Sequence, residues 1–72
     1  MRISYDPQAD ALYIRLVEER TQCRNVCLTD QITLDFGPNE ELIGIEIIDA
    51  KALLGSGDLP KIVVDHLQVA AA

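Results

Sequence analysis

Ile32-Thr33-Leu34-Asp35-Phe36-Gly37-Pro38-Asn39-Glu40-Glu41-Leu42-Ile43-Gly44-Ile45-Glu46-Ile47-Ile48 decides the fold. Ile32, Leu34 and Phe36 alternate with Thr33 and Asp35, the period of a strand with one dry and one wet face. Gly37 to Glu41 reads as a hairpin loop. Leu42–Ile48 then returns antiparallel, with Ile43, Ile45 and Ile47 beside the first apolar set.

Toward the N-terminus, Arg2–Tyr5 reads as a short strand with Ile3 and Tyr5 on one side. Asp6-Pro7-Gln8-Ala9-Asp10 is a turn in which the Asp6 side chain can bond the backbone two residues on. Ala11–Val17 is a second strand, Leu12, Ile14 and Leu16 facing one way and Tyr13, Arg15 and Val17 the other. Thr21–Leu28 continues as a short edge strand, with Val26 and Leu28 opposite Cys23, Asn25 and Cys27, and Thr29-Asp30 turns the chain. Toward the C-terminus, Asp49 is a good N-cap for a helix Ala50–Leu54, with Leu53 and Leu54 as anchors and Gly55 as its stop. The expected fold is α+β, mainly an antiparallel β-meander of four to five strands with one short helix near residues 50–55. Residues 1–55 form the sheet domain. Residues 56–72 form a linker and C-terminal segment of undecided conformation, since Pro60 can open a helix while Ile62, Val63 and Val64 favour extension.

At 72 residues the chain has one core, and a core of this size supplies only ~3–5 kcal/mol without a disulfide, metal or oligomer. Cys23 and Cys27, four apart in a strand, would stand about 13 Å from each other, beyond the roughly 7 Å a disulfide tolerates. They are expected to be reduced thiols of a cytoplasmic protein. No apolar run has signal-peptide length, and none approaches the ~20 residues that span a bilayer. With 12 acidic against 6 basic residues and a net charge of −6, the chain repels phosphate, so neither nucleic acid nor membrane is an expected partner.

Oligomerisation is then the remaining staple. The second sheet face carries Tyr13, Val17, Leu42 and Ile48, more apolar surface than one short helix can hide, so either the Ile62–Leu67 segment folds back over it or, as the favoured reading, a second chain stacks on it. The expected contact surface for a dimer or higher oligomer is Tyr13, Val17, Leu42 and Ile48 together with Ile62, Val64 and Leu67 of the C-terminal segment.

Tyr5-Asp6-Pro7-x-Ala9-Asp10-Ala11-Leu12-Tyr13-Ile14, Ile32-Thr33-Leu34-Asp35-Phe36 and Gly44-Ile45-Glu46-Ile47-Ile48-Asp49-Ala50, in that order, resemble the small bacterial family catalogued as domain of unknown function 2283. The resemblance covers about residues 1 to 54. It implies a small, largely β protein without an assigned reaction, and an antitoxin-like role beside a small basic ribonuclease-like toxin. Cys27, Leu28 and Gln31 stand where relatives carry acidic residues and glycine.

The family pattern picks out Asp6, Asp10, Asp35, Glu46 and Asp49, but their spacing does not require convergence. Asp6 and Asp10 bracket a turn, Asp49 caps a helix, and Asp35 and Glu46 sit on the wet face of adjacent strands. Cys23, Cys27 and His66 make a weak zinc pattern. Phosphate-binding loops, nucleophile elbows and His-Glu-x-x-His helices do not occur in the sequence. The chain is therefore read as a non-enzymatic, self-associating protein-interaction module, with no catalytic residue, cofactor or metal, and a basic protein as a further partner. The alternative is a small enzyme or metal- or ligand-binding protein whose site forms between subunits from Asp35, Glu46 or Asp6.

Overall fold

The computed structural model describes residues 1–18, 22–55, 57–58 and 61–65. Five strands, β1 (Arg2–Asp6), β2 (Ala11–Arg15), β3 (Arg24–Cys27), β4 (Ile32–Phe36) and β5 (Leu42–Ile48), and one helix, α1 (Ala50–Leu54), follow in that order. The strands form one antiparallel sheet in the order β1-β2-β5-β4-β3. It is the α+β, mainly antiparallel fold expected. The run β3-β4-β5 is the meander, and the β1–β2 hairpin joins it through β2 against β5.

The turns form as the residues dictate. Gln8 and Ala9 donate their backbone N–H to the Asp6 carboxylate at 2.9 and 3.4 Å, and Gln31 and Ile32 donate theirs to the Thr29 hydroxyl at 3.1 and 3.0 Å. Strand β2 is regular only to Arg15. Leu16 and Val17 instead donate to the Ile43 carbonyl at 2.8 and 3.4 Å, where the chain leaves β2. The regular part of β3 starts at Arg24; Thr21, its expected start, lies outside the described residues. An irregularity at Asp35/Phe36 pairs Phe36 with Leu42 and leaves Ile43 as the extra residue of the longer strand.

Register stacks the apolar side chains in rows. One row runs Tyr5, Leu12, Ile47, Ile32, and the next Ile3, Ile14, Ile45, Leu34, Val26 across all five strands. Helix α1 closes on the first row. Leu12 and Ile47 are buried there and Ala50 is fully buried.

The helix is held differently from expectation. Asp49 has φ 53° and ψ 43° and makes no side-chain cap. The cap comes from Asp10, in the β1–β2 turn, whose carboxylate accepts the Lys51 N–H at 3.2 and 3.4 Å while its backbone carbonyl accepts that of Ala50 at 3.0 Å. An N-cap residue needs extended backbone, and the sharp reversal from β5 into α1 forces Asp49 into the left-handed region instead. Leu53 and Leu54 are not the anchors, being 45% and 48% exposed. Ala50 is, because its small side chain lets the helix backbone close on the sheet. Gly55 ends α1 with φ −114°, so its value lies in space rather than handedness: a Cβ there would collide with the Asp58 carbonyl.

This arrangement predicts opposite outcomes for two aspartates. Asp10→Ala should cost about 1–2 kcal/mol as a lost cap, a fall in Tm of roughly 4–16 °C. Asp49→Gly should gain about 0.5–1 kcal/mol by removing a side chain from left-handed backbone. Thermal unfolding of the two variants checks both; a larger loss from Asp49 than from Asp10 would restore Asp49 as the cap.

Ser56, Leu59, Pro60, His66 and Leu67 lie outside the described residues. Lys61 to Asp65 is exposed and neither helix nor strand.

Candidate functional site

On the polar side of the sheet, Tyr13 of β2 reaches across β5 to Asp35 of β4. Its hydroxyl donates to Asp35 Oδ2 at 3.0 Å, and the Asn25 amide of β3 donates to Asp35 Oδ1. Gly44 makes the crossing possible, for it lies between Arg15 and Asp35 in the register and the ring occupies the space a side chain would fill. Glycine inside a β-branched strand marks such a close approach. Asp35, read from the sequence as a wet-face residue, is instead buried beneath these two donors. Glu46 stands opposite Tyr13 and Thr33, one row away from Asp35, and Asp6 lies on the edge strand β1. The chain therefore does not bring Asp35, Glu46 and Asp6 together.

Burial, the Asp35 hydrogen bond and the Asp35 charge, in that order, push the Tyr13 hydroxyl above the usual tyrosine range. Tyr5, on the other face of the sheet, is also raised, first by donating to Asp10 Oδ1 at 2.7 Å and then by burial. A raised folded pKa means that folding favours the protonated phenol. Its contribution is whole below about pH 10 and is lost as pH rises through the folded value. Phenolate absorbance should therefore show both tyrosines titrating above about pH 10. Asp35→Asn should lower the Tyr13 midpoint only in part, since burial is the larger cause. A midpoint unmoved by Asp35→Asn would dissociate the two groups.

At the far corner, the Arg24 guanidinium sits 5.4 Å from the Phe36 ring centroid and pairs with Glu40 at 2.6 Å. They border an open cleft of about 330 Å³ with Gln22, Cys23 and Pro38. Cys23 and Cys27 are both exposed and are not joined in a disulfide. Among the described residues no group of three or more His, Cys, Asp and Glu side chains is placed to hold a metal ion, and no helix is long and apolar enough to cross a membrane.

The expected contact residues are dispersed. Tyr13 is half-buried in the Asp35 network, Ile48 is 40% exposed on the same side, and Val17 is half-buried where β2 ends. Leu42 faces Phe36, while Ile62 and Val64 are exposed in the C-terminal segment. A continuous apolar row, Ile3, Ile14, Ile45, Leu34 and Val26, lies on the other side of the sheet. Ile3 is exposed and the other four only half-buried, in contrast to Leu12 and Ile47 one row nearer the helix. Alternation pointed to Ile3, Ile14, Leu34 and Ile45 as core; how far each is covered depends on where α1 lands.

The model of a family described as "Protein of unknown function (DUF2283)" matches residues 2–51. No curated protein and no solved structure matches the chain.

Proposed function

This chain belongs to the DUF2283 family, and from that premise we propose that it is a non-enzymatic interaction module whose first partner is a second copy of itself. The incomplete burial of the apolar row Ile14, Ile45, Leu34 and Val26 carries this reading. Five residues of helix span about 7.5 Å, whereas five strands extend about 19 Å from first to last, so α1 shelters one row in part and leaves the next half-buried. Among the described residues only Leu12, Ile43, Ile47 and Ala50 form the fully buried apolar set. Burying a further Ile or Leu side chain contributes roughly 1.5–3 kcal/mol, and association is the means open to so small a chain. Light scattering at micromolar concentration should return at least twice the mass of one chain. A single-chain mass at every concentration tested overturns the proposal.

A basic protein partner is supported by a separate observation. The strand directions gather Asp6, Asp10, Asp30 and Asp49 at one end of the sheet, with Lys51 as the cation beside them. Such an end attracts a basic surface at long range and loses that attraction in salt. A toxin-like ribonuclease is the partner class that this charge and the family resemblance favour. Co-expression with a basic ribonuclease encoded beside this gene should give a salt-sensitive complex that no longer cleaves RNA. Free, active ribonuclease in that mixture would remove the reading.

A further inference from the structure

We propose that residues 61–65, Lys61-Ile62-Val63-Val64-Asp65, close onto the outer edge of β1 as a sixth, antiparallel strand, with Lys61 opposite Asp6 and Asp65 opposite Arg2. The inference stands whether or not two copies associate. Two observations share this explanation. Strand β1 is at the edge of the sheet, so every second residue turns its backbone N–H and C=O away from β2. Ile62, Val63 and Val64, three β-branched residues in succession, are 52%, 72% and 68% exposed in a segment that is neither helix nor strand.

Complementarity between the two stretches sets direction and register. Strand β1 reads Arg2-Ile3-Ser4-Tyr5-Asp6. Run antiparallel against it, residues 61–65 bring Lys61 beside the Asp6 carboxylate, of which Oδ1 serves the turn. Asp65 comes beside Arg2, whose bridge to Glu18 is long, at 3.8 Å. Opposite charges facing each other across a strand pair stabilise it and like charges destabilise it; the parallel direction would set like charges at both ends. Ile62 then stands opposite Tyr5 and Val64 opposite Ile3, lengthening both apolar rows on the helix side of the sheet, while Val63 stands opposite Ser4 on the other face. A slip of one residue would reverse these faces. The other edge strand, β3, carries a single charge, Arg24, which is paired with Glu40 at 2.6 Å.

Connectivity selects the same end of β1 and the same chain. The Lys51 N–H donates to the Asp10 carboxylate at 3.2 Å, and the Lys51 carbonyl accepts the Gly57 N–H at 2.8 Å. The chain leaving α1 is thereby tied to the β1–β2 turn, at the end of β1 where Asp6 stands. Asp58 and Lys61 are three residues apart, up to about 10 Å of chain, and the antiparallel strand begins at this end. A parallel one would begin at Arg2, about 13 Å further along. Tethering also gives the chain's own segment an effective concentration on the order of millimolar, which favours it over the same segment of a second copy. The added strand removes the β1 edge as a template for other chains and widens the apolar side without covering it.

A disulfide trap in the full chain, with Cys23→Ser and Cys27→Ser, tests the pairing. Ser4→Cys with Val63→Cys sets two thiols directly opposite on one face, within bridging distance. Ser4→Cys with Ile62→Cys closes a loop of almost the same length, and so of almost the same entropy, but sets its thiols on opposite faces. In oxidised glutathione the first pair should close within one chain more than about tenfold faster than the second, read by mass and gel mobility. Adding Lys61→Glu and Asp65→Lys to the first pair leaves net charge unchanged and should slow closure about tenfold, since like charges then face each other at both ends. Equal rates for the two pairs would mean a segment without register and overturn the proposal. Closure indifferent to the charge exchange overturns it too, and bridging between chains rather than within one assigns the strand to a second copy instead.

Discussion

Gly44→Ala should lower stability by about 2–4 kcal/mol, the sum of an overpacked contact and a disturbed buried hydrogen bond. The added Cβ would stand 2.7 Å from Tyr13 Cζ and closer still to its hydroxyl, with the Ile14 carbonyl at 3.1 Å behind it. A phenol ring has no slack of the kind a lysine end has, so it must leave Gly44, and Asp35 then loses one of its two donors. The control is the same substitution in a Tyr13→Ala background, where the ring is gone and the Cβ meets only the Ile14 carbonyl at 3.1 Å. Gly44→Ala should there cost under about 1 kcal/mol, because alanine is the better strand residue. The difference between backgrounds, read by denaturant unfolding as a double-mutant cycle, measures the coupling. Equal costs in both would mean that the ring is not what the glycine accommodates.

Ala50→Leu should cost about 2–3 kcal/mol through overpacking, lowering Tm by roughly 8–24 °C. Ala50 has no exposed surface and packs on Leu12 and Ile47, so the methylenes of a leucine would have to push α1 off the sheet. Ala52, exposed in the same helix, provides the comparison: Ala52→Leu should change stability by less than about 0.5 kcal/mol. The contrast locates the anchor, since helix propensity is shared by both substitutions and only contact with the sheet differs. Similar losses at the two positions would show that α1 does not dock through Ala50. Lifting α1 would also release Lys51 from Asp10, coupling the helix back to the β1–β2 turn.

The docking of α1 also decides which apolar side chains of the sheet stay accessible. A longer helix would cover more of the sheet; five residues cover part of one row and leave its neighbour half-buried. Any self-association through that row therefore depends on Ala50 and Asp10 even though neither is in it. Their loss should weaken folding and any such assembly together.

Strands and turns were legible in the residues because they depend on local chemistry. Alternation at Ile32–Phe36 and Leu42–Ile48 sets which side chains share a face, Asp6 and Thr29 bond backbone two and three residues away, and none of this requires knowledge of distant segments. What tertiary structure decided was every contact between segments far apart in the chain. Asp49 had the right type and position for a cap, but the cap came from Asp10, 41 residues from its backbone partner, because a tight reversal left Asp49 in the wrong conformation. Asp35 looked wet by alternation and is buried because Tyr13 and Asn25 arrive from two other strands. Leucines at 53 and 54 looked like anchors by hydrophobicity, yet closeness of approach favoured alanine at 50. Periodicity names the face of a residue; only the placement of α1 determines whether anything lies above it.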